Sequence, residues 1–254
     1  LAFLGRIHTY EDFLDTYEAA RAAGFHNLNV DVMAALPGQS LEGYLSTLRK
    51  VLALEPEHIS AYSLILEEGT PLLKMVDQGL VQAVDEDTDR SMYQETKQLL
   101  QTAGYHRYEV SNYAREGYAC RHNLGYWQRK NYLGLGLSAA SLVENIRCRN
   151  GHTLGAYLRD PLGCREEHHM LTRQEQMEEF FFLGLRMTEG VELGAFERFF
   201  GCRAEAVYGE VIRRNVQDGL LRRFFPGGCA GEWLALTERG LDLSNYVSAQ
   251  FLLT

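Results

Sequence analysis

Apolar positions recur at helical spacing through residues 11–24, where Phe13, Leu14, Tyr17 and Ala20 share one side and Gly24 supplies a stop. The next run, Leu28 to Met33, is β-rich and ends in Leu36-Pro37-Gly38-Gln39. Ser40 is a good N-cap for a helix that reaches Leu54 and stops before Pro56. Ile59 to Leu66 then predicts a second strand. Strand–helix–strand alternation predicts βαβ units and a parallel sheet, in which ligands lie beyond the C-terminal strand ends. That rule puts Asp31 and the Tyr62–Ile65 stretch near a site. A helix over 85–103 opens on Asp85-Glu86-Asp87 and closes at Gly104. Tyr108 to Tyr113 reads as another strand, and 114–150 as loop-rich.

The texture changes from about Leu171. Thr172 can cap a helix over 173–187, with Glu175 at the capping-box position. Val191–Phe200 and Ala204–Asp218 predict two more helices, separated by Gly201. Leu220–Phe224 and Glu232–Leu236 resemble a hairpin around Pro226-Gly227-Gly228, and Thr237 opens a last helix. Three helices, a two-stranded wing and a helix make a winged-helix arrangement. The expected division is an α/β domain over 1–150, a linker over 151–170, and a mainly helical domain over 171–254.

Composition narrows the function classes. With 254 residues, 46% hydrophobic and 23% charged, the chain reads as soluble and globular, with one large or two smaller domains. A formal net charge of −9 opposes binding to nucleic acid or anionic lipid. Arg213, Arg214, Arg222 and Arg223 concentrate positive charge locally and read as a solvated helix face. Five cysteines, at 120, 148, 164, 202 and 229, form no CxxC pair and fit free thiols in a reducing cytoplasm. They offer no local iron–sulfur motif. Leu1 to Arg6 lacks signal-peptide features and an initiator methionine, so the expectation is the later part of a longer chain.

The chemistry concentrates in Cys120-Arg121-His122-Asn123-Leu124-Gly125-Tyr126-Trp127, followed by Gly134-Leu135-Gly136. Imidazole can ligate a metal, and aromatic rings can cover a flat ring system. From these residues alone, a buried aromatic turn with a hydrogen-bonded His122 is the commoner outcome. Arg6 could equally be a surface charge, Asp31 a helix-capping group, and Tyr62 and Ile65 simple packing.

Taken in order, Asn29-Val30-Asp31, Leu36-Pro37-Gly38-Gln39, Ile59 to Leu64, Glu67-Glu68-Gly69-Thr70-Pro71, the 120–127 cluster, Met177 to Phe180 and Leu185 to Val191 resemble one family. It is the oxygen-independent coproporphyrinogen III oxidase-like radical S-adenosylmethionine family, and the 67–71 and 120–127 runs are most similar to its heme chaperone branch. The resemblance implies an α/β fold: the C-terminal part of a partial (β/α) radical SAM barrel, then the family's winged-helix-like C-terminal domain. The family's CxxxCxxC loop, which holds a four-iron four-sulfur cluster, has no counterpart here, so this chain alone is expected to be inactive.

By the same resemblance, Arg6 meets the S-adenosylmethionine carboxylate and Asp31 its ribose hydroxyls, while Tyr62 and Ile65 line the adenine side. His122, Asn123, Tyr126 and Trp127 match the heme-binding HNxxYW motif, with His122 as the iron ligand and Cys120 as a second possible ligand. Many chaperone members carry a histidine where Ala140 stands, and there the chain is closer to the oxidase. The implied function is heme transfer to apo-proteins in the cytoplasm, with peripheral membrane contact and without nucleic acid. Two alternatives stay open: oxidative decarboxylation of coproporphyrinogen III, and a winged-helix interaction module.

Overall fold

The computed structural model describes residues 1, 4–227 and 231–253. Cys229 and the Gly228 position of the expected hairpin turn lie outside the described residues. The chain divides into two compact units, Leu1–Ala119 and Cys120–Thr254, where the sequence pattern put the change at 150.

In the first unit, α1 (Tyr10–Ala22) starts at a capping box in which Thr9 and Asp12 satisfy each other's free backbone donors. Strand β1 (Asn29–Ala34) runs parallel to β2 (His58–Ser63), with α2 (Leu41–Leu52) between them in sequence and capped by Ser40. This part of the βαβ expectation holds. Helix α3 (Pro71–Asp77) begins at the last residue of the 67–71 motif and was not expected as a helix. Its signal was local: Thr70 caps it and Pro71 takes its first turn, where a missing N–H costs nothing. Helix α4 (Glu86–Thr102) follows its Asp85 cap as expected.

The predicted strand at Tyr108–Tyr113 is a correction. Two short strands, β3 (His106–Arg107) and β4 (Asn112–Ala114), pair antiparallel with each other, and the chain reverses between them. Glu109 drives the reversal: its buried carboxylate accepts from Ser111 N at 2.8 Å and Asn112 Nδ2 at 2.6 Å. Because β4 also pairs antiparallel with β2, the sheet is mixed, in the order β1-β2-β4-β3, rather than all parallel. One face carries the core. Val30, Val32, Ala34, Ile59, Ala61 and Tyr113 pack with Tyr44 and Leu48 of α2 and Met92 and Leu100 of α4.

In the second unit, the stretch expected as loop around His122 is ordered structure. Helix α5 (Arg121–Trp127) carries the cluster, and β5 (Ala140–Val143) and β6 (Ile146–Asn150) follow. The expected linker holds α6 (Leu154–Arg159) and β7 (Arg165–Met170), which joins β5 and β6 in an antiparallel sheet. Short elements with interrupted apolar periodicity gave little to read. Gly134 is required here: a Cβ would lie 2.2 Å from the Ala140 carbonyl oxygen.

Helices α7 (Arg173–Gly184), α8 (Leu193–Phe200) and α9 (Ala204–Gln217) follow, α7 with the expected Thr172–Glu175 capping box. The first two residues of the expected 191–200 helix instead form β8 (Val191–Glu192). They pair with β10 (Trp233–Leu236), which also pairs with β9 (Leu221–Phe224), so the expected hairpin is part of a three-stranded sheet. Gly190, at φ +77, lets the chain turn against β10, where a Cβ would sit 2.1 Å from the Leu234 oxygen. Helices α10 (Glu238–Asp242) and α11 (Ser244–Ala249) end the unit. Its core is aromatic: Phe181 stacks on Phe251 at 4.5 Å and meets Phe196 and Tyr208 at 5.4 and 5.0 Å. Arg213 pairs with Glu210 and Arg223 with Glu205 and Glu232, so these arginines are neutralised locally. Among the described residues, no helix is long and apolar enough to cross a membrane.

Candidate functional site

Strand alternation in the first unit puts apolar side chains on the helix-covered face and polar ones opposite. Parallel register aligns Asn29 with His58, Asp31 with Ser60 and Met33 with Tyr62, while β4 sets Asn112 beside Ser60. All of these lie on the polar face. The Asn29 amide donates to Asp31 Oδ1 at 2.6 Å. The Asn29 carbonyl oxygen lies 2.6 Å from His58 Nδ1 and accepts from the Ser60 hydroxyl at 3.2 Å. His58 Nε2 lies 2.9 Å from the Tyr108 hydroxyl.

Burial pushes the His58 imidazole below its ordinary pKa, with Asp31 pulling the other way. Burial raises the Tyr62 phenol; Asp31 raises it further and Arg6 lowers it. Asp31 and Arg6 therefore both lie within electrostatic reach of Tyr62, and both are exposed. Ile65 falls two residues past β2 and is 78% exposed. Asn29 and His58 were not singled out as site residues. Their signal was weak: each is one of several polar residues on the far face of its strand.

In the second unit, α5 places His122 and Tyr126 one turn apart on one face. Their rings meet edge-on at 4.6 Å, and Tyr126 meets Tyr132 in the same way at 4.6 Å. His122 is exposed, not sealed in an aromatic turn. Tyr126, Asn123 and Trp127 are half-buried. The Arg186 guanidinium covers the Trp127 ring at 4.4 Å, and Trp127 Nε1 is buried with no hydrogen-bond partner among the described residues. Behind Tyr132, Arg147 reaches both its hydroxyl and Glu179 Oε1, the latter at 2.7 Å. Glu179 is buried and also takes Arg129 Nε at 2.8 Å. Cys120, the second possible ligand, is a half-buried free thiol at the start of α5.

The chain is similar to several known proteins. Residues 171–243 match the HemN C-terminal domain. The heme chaperone HemW of Lactococcus lactis is 36% identical over 251 residues, covering 98% of this chain and 65% of that protein. The chain is similar to heme chaperones and radical SAM proteins over nearly its whole length. Other similar proteins are the HemW of Bacillus subtilis, 31% identical over 98% of the chain, and the mouse mitochondrial radical S-adenosyl methionine domain-containing protein 1, 36% identical over 94%. Coproporphyrinogen III oxidase (HemN) of Escherichia coli, a radical SAM enzyme, superposes with a TM-score of 0.75 over 98% of this chain and 60% of its own, at 20% identity. That likeness shows the mixed α/β fold. The chain spans 65% of the length of the two bacterial chaperones.

Radical SAM relatives imply S-adenosylmethionine, an iron–sulfur cluster and heme in the family. Arg6 and Asp31 suit an aminoacyl carboxylate and a ribose diol, since a guanidinium pairs with the anion and a carboxylate accepts from hydroxyls. The cluster does not fit. Among the described residues, no three His, Cys, Asp or Glu side chains are grouped to hold a metal.

Proposed function

We propose that this chain is the heme-binding portion of a heme chaperone that uses S-adenosylmethionine and an iron–sulfur cluster and passes heme to apo-proteins. The observation that carries the reading is an exposed imidazole on a short helix, its ring against Tyr126, which in turn meets Tyr132. An accessible neutral imidazole can ligate heme iron axially while neighbouring rings shield the porphyrin face. Two relatives named as heme chaperones, more than 30% identical over nearly the whole chain, support it. In this reading Asn123 and Trp127 complete the heme-contacting set, and Arg6, Asp31, Tyr62 and Ile65 form the S-adenosylmethionine side. The first unit is then the later part of a (β/α) radical SAM barrel, and the sheet-and-helix region from 171 a winged-helix-like domain. The working location is the cytoplasm, with contact at the membrane surface.

Hemin titration tests the reading. His122→Ala should lower the affinity by about tenfold, one good ligand contact's worth, and shift the Soret band. An unchanged spectrum and affinity would remove His122 as the ligand.

A second reading, oxidative decarboxylation of coproporphyrinogen III, draws on Ala140 standing where many chaperone members carry histidine. Protoporphyrinogen formation by the complete polypeptide would establish it, and its absence would leave the chaperone reading.

A further inference from the structure

The hydrogen bonds on the polar face of the first unit have one allowed direction, and a single charge sets it. A carboxylate only accepts. The Asn29 group facing Asp31 Oδ1 at 2.6 Å must therefore be its amide, which turns its carbonyl oxygen toward His58 and Ser60. A carbonyl also only accepts, so His58 Nδ1, 2.6 Å away, must carry the proton. In the neutral ring Nε2 is then an acceptor, and the Tyr108 hydroxyl at 2.9 Å donates to it. Every donor from Tyr108 through His58 and Asn29 points toward Asp31. His58 is 4% exposed, so water offers little alternative.

This arrangement has a consequence at the open end. Asn29 occupies only Oδ1 of Asp31, and the side chain is exposed, so its other oxygen is presented with a fixed orientation. The Ser60 hydroxyl, which could compete for Asp31 as a donor across the β1–β2 register, is instead bound to the Asn29 carbonyl. We infer that Tyr108, His58 and Asn29 are positioning residues that lock Asp31 to receive the paired hydroxyls of a nucleoside ribose. This rests on the S-adenosylmethionine reading of Asp31 and deepens it: neither Asn29, His58 nor Tyr108 touches the ligand. Fixing a carboxylate before binding removes the ordering cost that an untethered side chain would bring.

Two measurements on the complete natural polypeptide separate this inference from the reading beneath it. Imidazole 15N spectra should show His58 as the Nδ1–H tautomer. Asp31→Asn, which can present either an amide or a carbonyl to Asn29, should mix the two tautomers. An Nε2–H tautomer in the unaltered protein overturns the relay, whatever the ligand result.

Calorimetric titration with S-adenosylhomocysteine and its 2′,3′-dideoxy analogue forms the second arm. Asn29→Asp and His58→Phe should each weaken S-adenosylhomocysteine by about tenfold, the scale of one hydrogen bond to a charged group. Both should leave the dideoxy analogue within about twofold. Equal losses for both ligands would mark these side chains as structural only and overturn the positioning role. Failure of the unaltered protein to prefer the diol-bearing ligand would sink the ribose reading of Asp31 and the inference with it, while the tautomer spectrum still reports the relay itself.

Discussion

The polar face of the first unit and the His122 face of the second handle specificity in opposite ways. Around Asp31 the Asn29, Ser60, His58 and Tyr108 side chains are committed through directed hydrogen bonds, and His58 is buried within them. Around His122 the contacts are ring edges, and the imidazole is exposed and makes no hydrogen bond among the described residues. A ligand with a fixed donor pattern suits the first arrangement. A broad planar ligand that must be taken up and handed on suits the second, because ring contacts constrain position less than hydrogen bonds do. The second face is braced from behind, where buried Glu179 holds Arg129 and Arg147.

The largest test of this contrast is Glu179→Ala. It strands two arginines at a buried carboxylate's place, and breaking such a pair costs about 3–5 kcal/mol. Because Arg147 is the most exposed of the three, the lower end is expected, read as a drop in the denaturation midpoint. Hemin binding should weaken with it, since Arg147 also meets Tyr132. Retained hemin affinity would show that the brace serves stability alone.

Next comes His58→Leu in the first unit, which removes one hydrogen bond from the Asn29 carbonyl and one from the Tyr108 hydroxyl. The expected loss is about 1–3 kcal/mol. His122→Ala should change stability by less than about 0.5 kcal/mol, as surface substitutions do. A large loss there would mean that His122 is structural after all.

The smallest effect concerns Glu175. The Thr172 backbone N–H, then His169 and the Thr172 hydroxyl, hold its carboxyl down to about 2. A depressed carboxyl contributes its stability above the ordinary value of 4.5 and loses it as pH falls toward 2. Thermal midpoints between pH 5 and 2 should fall less steeply for Glu175→Gln than for the unaltered chain, and parallel curves would refute the assignment.

Local signals were legible wherever a short run contained its own physics. Ser40, Asp85 and Thr172 each announce a helix start because a side-chain oxygen reaches the free N–H groups of the first turn. Asn29-Val30-Asp31-Val32 announces a strand with one polar face. Gly190 shows the limit of such signals, because its need for a bare backbone comes from Leu234 and Ala235 on a distant strand. Tyr108–Tyr113 shows it again: the residues favour a strand, but Glu109 folds back on Ser111 and Asn112 and splits it.

By itself the sequence determined the α/β character, most helix starts and the residue types gathered at 29–31 and 120–127. Only the tertiary structure decided that the sheet is mixed, that His122 rides on a helix with its ring exposed, and that His58 answers to Asp31. Helix caps and strand alternation act over a few residues and are written in order along the chain. Pairing partners, burial and tautomer are fixed by groups that meet only after folding: Asn29 and His58 lie 29 residues apart, and His58 and Tyr108 lie 50 apart.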